Sequence, residues 1–418
     1  MAARHDTLRP AVIASVAFHN FKALREAQVE LRPFNLIVGP NGSGKTSLIQ
    51  ALLRLRTLWR LHAAADAPPP RVEPARADRS IMEFRFCPPP ERGGEEAAGA
   101  HNPHDQEKRE GREGQPKRAG RERREGGSVF TARLSCVSQM VCDQIEFLGA
   151  GGAPLSAAAA LAAKAQTRWI DRIRAYLFDH YAMAEPVPVQ PPAGNATAAV
   201  LPELASNGAN LSAVLAQLQA GEPAPFARLE EELRRVLPEF SGIEFVRPSA
   251  DTVQLALRLR AGAEAVTAPD GGAGLAGGEL AGELVSADNL SQGTLYLMAL
   301  LYLAFQPQPP SVVCVEEIDR GIHPRLLRPL RDLLYRLSYP AECGESRRPP
   351  VQVLATTHSP YLLDLFKDHP EEIIISQKHG TSAHFERLAD RADLGALLGE
   401  ASLGDLWFSG ILGGVPEE

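Results

Sequence analysis

The segment GPNGSGKT has the residue types and the spacing of a phosphate-binding loop. It fits the pattern G-x-x-x-x-G-K-[ST] and stands between the strand-like run FNLIV and a helix-like run, which is the context that the pattern requires. Backbone N–H groups of such a loop surround an anion, the lysine reaches the β- and γ-phosphates, and the hydroxyl ligates Mg²⁺. The alternative is a glycine-rich turn that only precedes a helix. The predicted nucleotide-binding residues are Gly39, Pro40, Asn41, Gly42, Ser43, Gly44, Lys45 and Thr46.

Two adjacent carboxylates, Glu316 and Glu317, follow the apolar run SVVCV. A buried strand seldom ends in such a pair unless something cationic or reactive faces it. Because neighbouring residues of a strand point to opposite sides, one carboxylate can serve Mg²⁺ while the other polarises an attacking water. The alternative is a pair of solvated glutamates at the end of a strand.

A histidine, His358, ends the next apolar run in the segment ATTHSP. A lone histidine is as often structural as functional. Ligands of α/β proteins bind at the carboxyl ends of the strands. If this strand adjoins the phosphate loop, His358 is placed to contact a γ-phosphate.

The segment NLSQGTLYLMALL starts with a polar turn and continues as an apolar helix. Taken alone, Ser291 before Gly293 predicts a helix N-cap. The alternative is that this helix start forms half of a nucleotide site whose other half is the phosphate loop.

The apolar patterns predict the elements that carry these residues. Leu48, Ile49, Leu52 and Leu55 recur at helical spacing after the phosphate loop. The runs SVVCVEE and VQVLATTHS are typical of buried parallel strands, and the helical pattern between them at 324–337 gives the βαβ order of an α/β core. We also predict helices at 156–181, 211–219 and 226–237, and a half-buried strand in TVQLALRLR.

The composition excludes several classes of protein. The chain has 418 residues, 44% of them hydrophobic, and a net charge of −7, so no global basic field attracts nucleic acid or an anionic membrane. The longest apolar run is too short to span a bilayer, no signal peptide is expected, and the scattered cysteines predict reduced thiols in a cytoplasmic protein. Residues 88–127 contain no large apolar residue, which predicts a disordered charged insertion.

The motifs and their order resemble the ABC-type ATPase superfamily, and specifically its soluble branch of SMC, RecF and OLD-type proteins and the bacterial "predicted ATPases" of the AAA name. The segment NFKALREAQVELRPFNLIVGPNGSGKTSLIQAL is similar to that branch's opening, EEIDRGIHP is close to its EEPENGLHP, and TTHSP matches it outright. The resemblance implies an α/β fold of the P-loop NTPase type. Such an ABC-type ATPase head has a mixed or parallel sheet core, an antiparallel β subdomain and a helical subdomain that carries the signature.

The same resemblance implies a role for each residue. ATP and Mg²⁺ are the implied ligands, with Thr46 and Glu316 on the metal. Glu317 takes the place of the catalytic base and His358 that of the switch histidine. Ser291 and Gly293 become the signature, which in this superfamily caps a γ-phosphate of the opposite subunit, so that a homodimer encloses two ATP molecules.

The sequence departs from the family pattern at three places. Gln292 stands where Asp or Gly is usual, and Ile318 and Asp319 replace Pro-Glu after the catalytic glutamate. The glutamine of the Q-loop is ambiguous among Gln139, Gln144 and Gln166. These departures leave ATP binding as the expectation and suggest slow hydrolysis.

We expect five segments: residues 1–87 with the phosphate loop, the insertion 88–127, a β and helical region 128–285, the second half of the ATPase core 286–390, and a C-terminal docking segment 391–418 that packs Trp407 and Phe408 on the core. The alternative for this last segment is a partner-binding patch. The expected function is a switch for a separately encoded effector, nuclease-like or Toprim-like, in antiphage defence, with no membrane partner. The alternatives are a RecF-type DNA-repair ATPase that binds DNA, and a nucleotide-dependent scaffold with negligible turnover.

Overall fold

A computed structural model describes residues 12–64, 79–86, 131–138, 141–149, 152–155, 159, 167–189, 203–260 and 282–413. Its strands are β1 Ile13–Phe21, β2 Leu24–Glu30, β3 Phe34–Val38, β4 Ser80–Phe86, β5 Thr131–Cys136, β6 Cys142–Leu148, β7 Ile173–Tyr176, β8 Val187–Pro188, β9 Phe240–Val246, β10 Thr252–Leu259, β11 Leu284–Ser286, β12 Val312–Val315, β13 Gln352–Thr357, β14 Ile373–His379 and β15 Ser382–Arg387. Its α-helices are α1 Lys45–Ala64, α2 His180–Ala184, α3 Leu211–Gly221, α4 Pro223–Val236, α5 Gln292–Phe305, α6 Leu327–Ser338, α7 Pro360–Asp364, α8 Leu394–Glu400 and α9 Leu403–Phe408. The charged insertion predicted at 88–127 lies outside these residues.

A six-stranded sheet forms the centre of the molecule, in the order β15-β14-β3-β13-β12-β7. All neighbouring pairs from β14 to β7 are parallel, and β15 alone is antiparallel. Every residue of β3, β12 and β13 is buried, as predicted for strands covered on both faces. Because parallel strands end at the same edge, the segments that follow β3, β12 and β13 meet there.

An antiparallel sheet in the order β2-β1-β4-β5-β6 packs around α1. The four apolar residues predicted to share one face of α1 are all buried in this second core, with at most 1% of their surface exposed. A third sheet, of β8, β9, β10 and β11, packs with α3, α4 and α5. These layers confirm the predicted fold: an α/β core, an antiparallel β subdomain and a helical region that carries α5.

The middle region corrects two predictions about secondary structure. Residues 173–176, predicted as the end of a long helix, form strand β7, because they pair in parallel with β12, a strand far away in the sequence. The strand of TVQLALRLR, predicted as half-buried, is covered on both faces at its centre. Its residue Gln254 is buried, and its amide donates to the carbonyl of Ala184 at 2.8 Å, which offsets the cost of burying this polar group.

The prediction of reduced thiols is wrong for one pair of cysteines. Cys136 ends β5 and Cys142 starts β6, and these residues are register partners that form a disulfide. The spacing of six residues showed no familiar motif, whereas the antiparallel register places the two side chains opposite each other. Cys314 is a free, buried thiol and Cys343 a free, exposed one.

The helices of the described chain show no candidate for a membrane span: none combines the length and the apolar character that crossing a bilayer requires.

Candidate functional site

The phosphate loop connects β3 to α1, and α1 starts at Lys45. Gly42 and Gly44 have φ angles of +77° and +106°, which favour glycine, so the pattern's glycines are required by the backbone. The ammonium group of Lys45 donates to the carbonyl oxygens of Gly39 and Pro40, at 2.6 and 2.9 Å. Burial lowers the pKa of Lys45 to about 8, against the opposing effect of Glu316 and Glu317. Among the described atoms its hydrogen-bond acceptors are neutral carbonyls, so this buried cation is prepared for an anionic ligand.

The loop also lies tightly against β14. A Cβ built on Gly39 would overlap the backbone oxygen of Ser376 and lie 2.6 Å from the Ser43 hydroxyl oxygen. The Ser43 hydroxyl itself is fully buried and has no hydrogen-bond partner among the described atoms. An orphaned buried hydroxyl, a glycine cradle and a buried lysine together fit a bound phosphate chain.

Thr46 and Glu316 meet at the edge of the sheet, although 270 positions separate them. The Thr46 hydroxyl donates to a Glu316 carboxylate oxygen at 2.7 Å. The backbone N–H of Glu316 donates to the carbonyl of Tyr176 at 2.9 Å, which ties this residue to the end of β7. Hydroxyl and carboxylate oxygens are ligands that Mg²⁺ prefers, and it commonly takes one or two from protein beside water and phosphate. The two side chains therefore fit the predicted metal site.

Glu317 has a left-handed backbone, with φ of 50°. Its N–H donates to the Thr356 hydroxyl at 2.9 Å, and its carboxylate lies 3.5 Å from the guanidinium of Arg320. Strand alternation, from which opposite orientations of the two glutamates were expected, does not apply here, because β12 ends at Val315, before both of them. The left-handed turn, which is rare for a residue with a side chain, marks a position where backbone strain is retained.

We expect Glu317→Gly to stabilise the protein, because glycine adopts this φ without the steric cost of about 1–2 kcal/mol that a side chain brings. Glycine's larger entropy loss on folding offsets part of this gain, so a net increase of about 0.5–1 kcal/mol is expected. Thermal unfolding followed by circular dichroism measures the change. Glu317→Gln removes the same charge and keeps the strain, so it serves as the control; equal melting temperatures for the two variants would contradict the strain.

His358 follows β13 and lies close to the residues of the phosphate loop. Burial, and then the charge of Lys45, lower the pKa of His358, while Asp319 and Glu317 act in the opposite direction. A lowered pKa favours the neutral imidazole, in which one nitrogen donates and the other accepts. The neighbouring Thr357 hydroxyl donates to the Asp319 carboxylate, so that the strand end with His358 is attached to the loop after Glu317.

Ser291 caps α5, as the sequence predicted: its hydroxyl oxygen accepts from the Thr294 N–H at 3.1 Å. A Cβ built on Gly293 would overlap the carbonyl oxygen of Gly321 and lie 3.2 Å from the Cα of Ile322. The start of α5 thus packs directly on the loop that follows Glu317. A cavity of about 400 Å³ opens beside it, lined by Ser291, Gly293, Glu239, His323 and Arg325 among others.

Two of the departures from the family pattern have a local explanation. Gln292 lies over Gly321, and its amide donates to the hydroxyl of Tyr296 at 3.0 Å, which in turn donates to the carbonyl of Phe178. Ile318 is buried in the core with 2% of its surface exposed. The third departure is not explained: Gln144 lies in β6, while Gln139 and Gln166 fall outside the described residues.

The structure brings together most of the predicted site and separates one part of it. Lys45, Thr46, Glu316, Glu317 and His358 lie at the carboxyl ends of three adjacent strands. Among the described residues, no hydrogen bond or ion pair joins Ser291 or Gly293 to residues 39–46. Pro40 and Asn41 of the phosphate loop line one cavity, and Ser291 and Gly293 line another.

The C-terminal segment closes a second, larger cavity. Leu406 and Trp407 are buried, as predicted for a docking segment, but Phe408 is 82% exposed, so the prediction that it packs on the core is wrong. The cavity, about 990 Å³, lies between Pro40 and Asn41 of the phosphate loop, the turn after β14, and residues 410–413. No sequence pattern pointed to it, since its walls come from three distant segments.

Comparison with known proteins agrees with these features. Residues 12–63 match a family model described as "AAA ATPase domain", and residues 218–364 match one described as "AAA domain, putative AbiEii toxin, Type IV TA system". The first range contains the phosphate loop, and the second contains Ser291, Glu316, Glu317 and His358.

One curated relative is the DNA replication and repair protein RecF of Nocardioides sp., 37% identical over 71 residues, which are 17% of this chain and 16% of that protein. The chain therefore spans about a sixth of the relative that it matches. Among solved structures, an SMC head bound to the C-winged helix domain of ScpA has a TM-score of 0.48 at 12% identity, covering 90% of this chain and 97% of that one. The SMC head domain from Thermotoga maritima has a TM-score of 0.40 at 12% identity, covering 90% and 98%.

The motifs, the strand order that unites them and the two family matches lead to one conclusion. By these features the chain is similar to the ABC-type ATPases of the SMC/RecF-like branch.

Proposed function

We propose that the chain binds ATP with Mg²⁺ and hydrolyses it slowly. The observation that carries this proposal is the meeting of Lys45, Thr46, Glu316 and His358 at one edge of the sheet, beside an anion cradle. Gly39 to Thr46 hold the phosphates. Mg²⁺ bound at Thr46 and Glu316 would neutralise charge on the β- and γ-phosphates.

Each of the other side chains has a role that its position supports. Glu317 accepts a proton from the attacking water, since its carboxylate is half-exposed at the edge of the site and is held in place by its backbone bond to Thr356. Neutral His358 donates a hydrogen bond to the γ-phosphate. Asp319, which accepts from Thr357, keeps the loop of Glu317 and the strand end of His358 in one arrangement.

We further propose that two copies form a homodimer around two ATP molecules. One copy contributes residues 39–46 and the second contributes Ser291 and Gly293. The support is structural: the N-terminus of α5 is open at a cavity, whereas within one copy it has no bond to the phosphate loop. Helix N-termini favour anions, so this surface is suited to a phosphate that another molecule presents.

The output of such a dimer is a change in the population of two states that a partner recognises. We propose a separately encoded effector in antiphage defence as that partner, a choice supported by the family description that names an AbiEii toxin. The match to RecF supports a second candidate, a DNA-repair ATPase. Retention on DNA that requires ATP and falls steeply with salt would favour this second candidate.

Nucleotide binding is tested by replacing the lysine of the loop. We expect Lys45→Ala to weaken MgATP binding by about 10- to 100-fold, because a charge-assisted hydrogen bond is worth about 1.5–3 kcal/mol. Titration calorimetry measures the dissociation constant. The matched control is Lys378→Ala, which removes an exposed cation at the neighbouring cavity. If both variants bind MgATP as the wild type does, the phosphate loop is not the site.

A further inference from the structure

The strand β14 contributes a serine that the site described so far does not use. Ser376 lies in a strand whose preceding residues pair with β3, and it is fully buried. Its hydroxyl donates to the backbone carbonyl of Ser43 at 2.6 Å. A strand in the interior of the sheet thus holds one peptide group of the phosphate loop by a side chain.

This hydrogen bond determines the orientation of the peptide group between Ser43 and Gly44. The peptide unit between Ser43 and Gly44 is planar and trans, so its carbonyl and its N–H point in opposite directions. Because the carbonyl points at Ser376, the N–H of Gly44 points away from β14. In a phosphate loop, backbone N–H groups of this stretch form the cradle for the anion.

The same peptide unit is prone to reorientation without a restraint. Gly44 has φ of +106°, and glycine adopts positive and negative φ with similar ease. The flanking hydroxyl of Ser43 has no partner among the described atoms and supplies no second restraint. We infer that Ser376 is a positioning residue of the phosphate loop, which fixes the Ser43–Gly44 peptide so that the Gly44 N–H faces a bound phosphate.

This inference rests on the proposed nucleotide binding, and its test uses MgADP as the probe. Loss of one neutral hydrogen bond lets the peptide reorient, so we expect Ser376→Ala to weaken MgADP binding about 3- to 10-fold. Calorimetry at a temperature well below the melting transition measures the dissociation constant. The matched control is Ser311→Ala, because Ser311 donates to the Trp169 carbonyl at 2.5 Å from the opposite end of the same sheet. We expect this control to bind MgADP as the wild type does.

A second measurement starts from the wild-type protein, so its main result does not require that Ser376→Ala folds. In the wild type, the amide proton of Gly44 is expected to move downfield in nuclear magnetic resonance spectra when MgADP binds, since it gains a charged acceptor. In Ser376→Ala this movement should shrink.

The possible outcomes separate the two claims. Equal dissociation constants for Ser376→Ala and the wild type, or equal losses in both serine variants, would overturn the positioning role. An unchanged Gly44 amide in the wild-type complex would overturn it as well. If the wild type itself binds no MgADP, the proposed function fails instead.

Discussion

Replacing Glu317 by Gln is expected to lower the rate of ATP hydrolysis by about 10²- to 10⁴-fold, the usual contribution of a general base, while MgATP still binds. The change preserves the size of the side chain and its backbone, including the N–H bond to Thr356. It removes the carboxylate that would take a proton from water. Steady-state phosphate release measures the rate, and calorimetry measures the binding.

The same variant is expected to accumulate a dimer, because hydrolysis no longer releases the two copies. Light scattering coupled to size exclusion should show a species of twice the mass with MgATP and a monomer without nucleotide. Adding Ser291→Arg should abolish it, since a cation at a helix N-terminus opposes the helix dipole and fills the cavity there. The control is Ser402→Arg, because Ser402 caps α9 in the same way, with its hydroxyl accepting from the Asp405 N–H at 3.1 Å.

Two outcomes of this experiment would change the proposal. Equal turnover by the wild type and by Glu317→Gln would remove Glu317 from the mechanism and favour a nucleotide-dependent scaffold. A mass that does not change with ATP in any variant would contradict the enclosed dimer, and the cavity at the start of α5 would then require another explanation.

The parts of the site that the sequence predicted are those whose determinants are local. The phosphate loop, its strand and its helix are contiguous, and the turn itself requires glycines at 42 and 44. Likewise, β12 and β13 are short, β-branched and apolar, so their parallel pairing and the meeting of Glu316 with His358 at one edge followed from the fold class. The N-cap of α5 was also predictable, because serine is one of the residues preferred at the N-cap of a helix.

The rest depends on contacts between distant segments, for which the chain carries no local signal. Residues 173–176 have a sequence compatible with a helix, and only the pairing with β12 makes them a strand. The disulfide between Cys136 and Cys142 depends on the register of β5 with β6. Ser376 had one weak signal, a small polar residue directly after the apolar run III at 373–375, but its role depends on the position of Ser43 in space.

The tight packing at the start of α5 predicts a second large effect, the loss of the ATP-dependent dimer when Gly293 is replaced by alanine. Gly293 is the second residue of its helix, and a Cβ there would overlap the carbonyl oxygen of Gly321. Gly293→Ala must therefore displace either the start of α5 or the loop after Glu317. The start of α5 belongs to the surface that we propose for the partner's ATP, and the loop after Glu317 packs against it. Nothing about residues 39–46 changes, so MgADP binding should stay within about two-fold of the wild type, a difference of about 0.4 kcal/mol.

We therefore expect Gly293→Ala to lose the ATP-dependent dimer in the Glu317→Gln background, and to lower turnover by at least about ten-fold in the wild type, the effect of about 1.4 kcal/mol on the barrier. Gly395→Ala is the matched control: Gly395 is also the second residue of its helix, and a Cβ there meets nothing within 4 Å. Both substitutions raise helix propensity by up to about 1 kcal/mol, so only the overlap with Gly321 distinguishes them. Light scattering measures the dimer and phosphate release measures the turnover of both glycine variants. A dimer that persists in Gly293→Ala would show that the signature helix does not bind the second copy, even if Lys45 and Glu317 act as proposed.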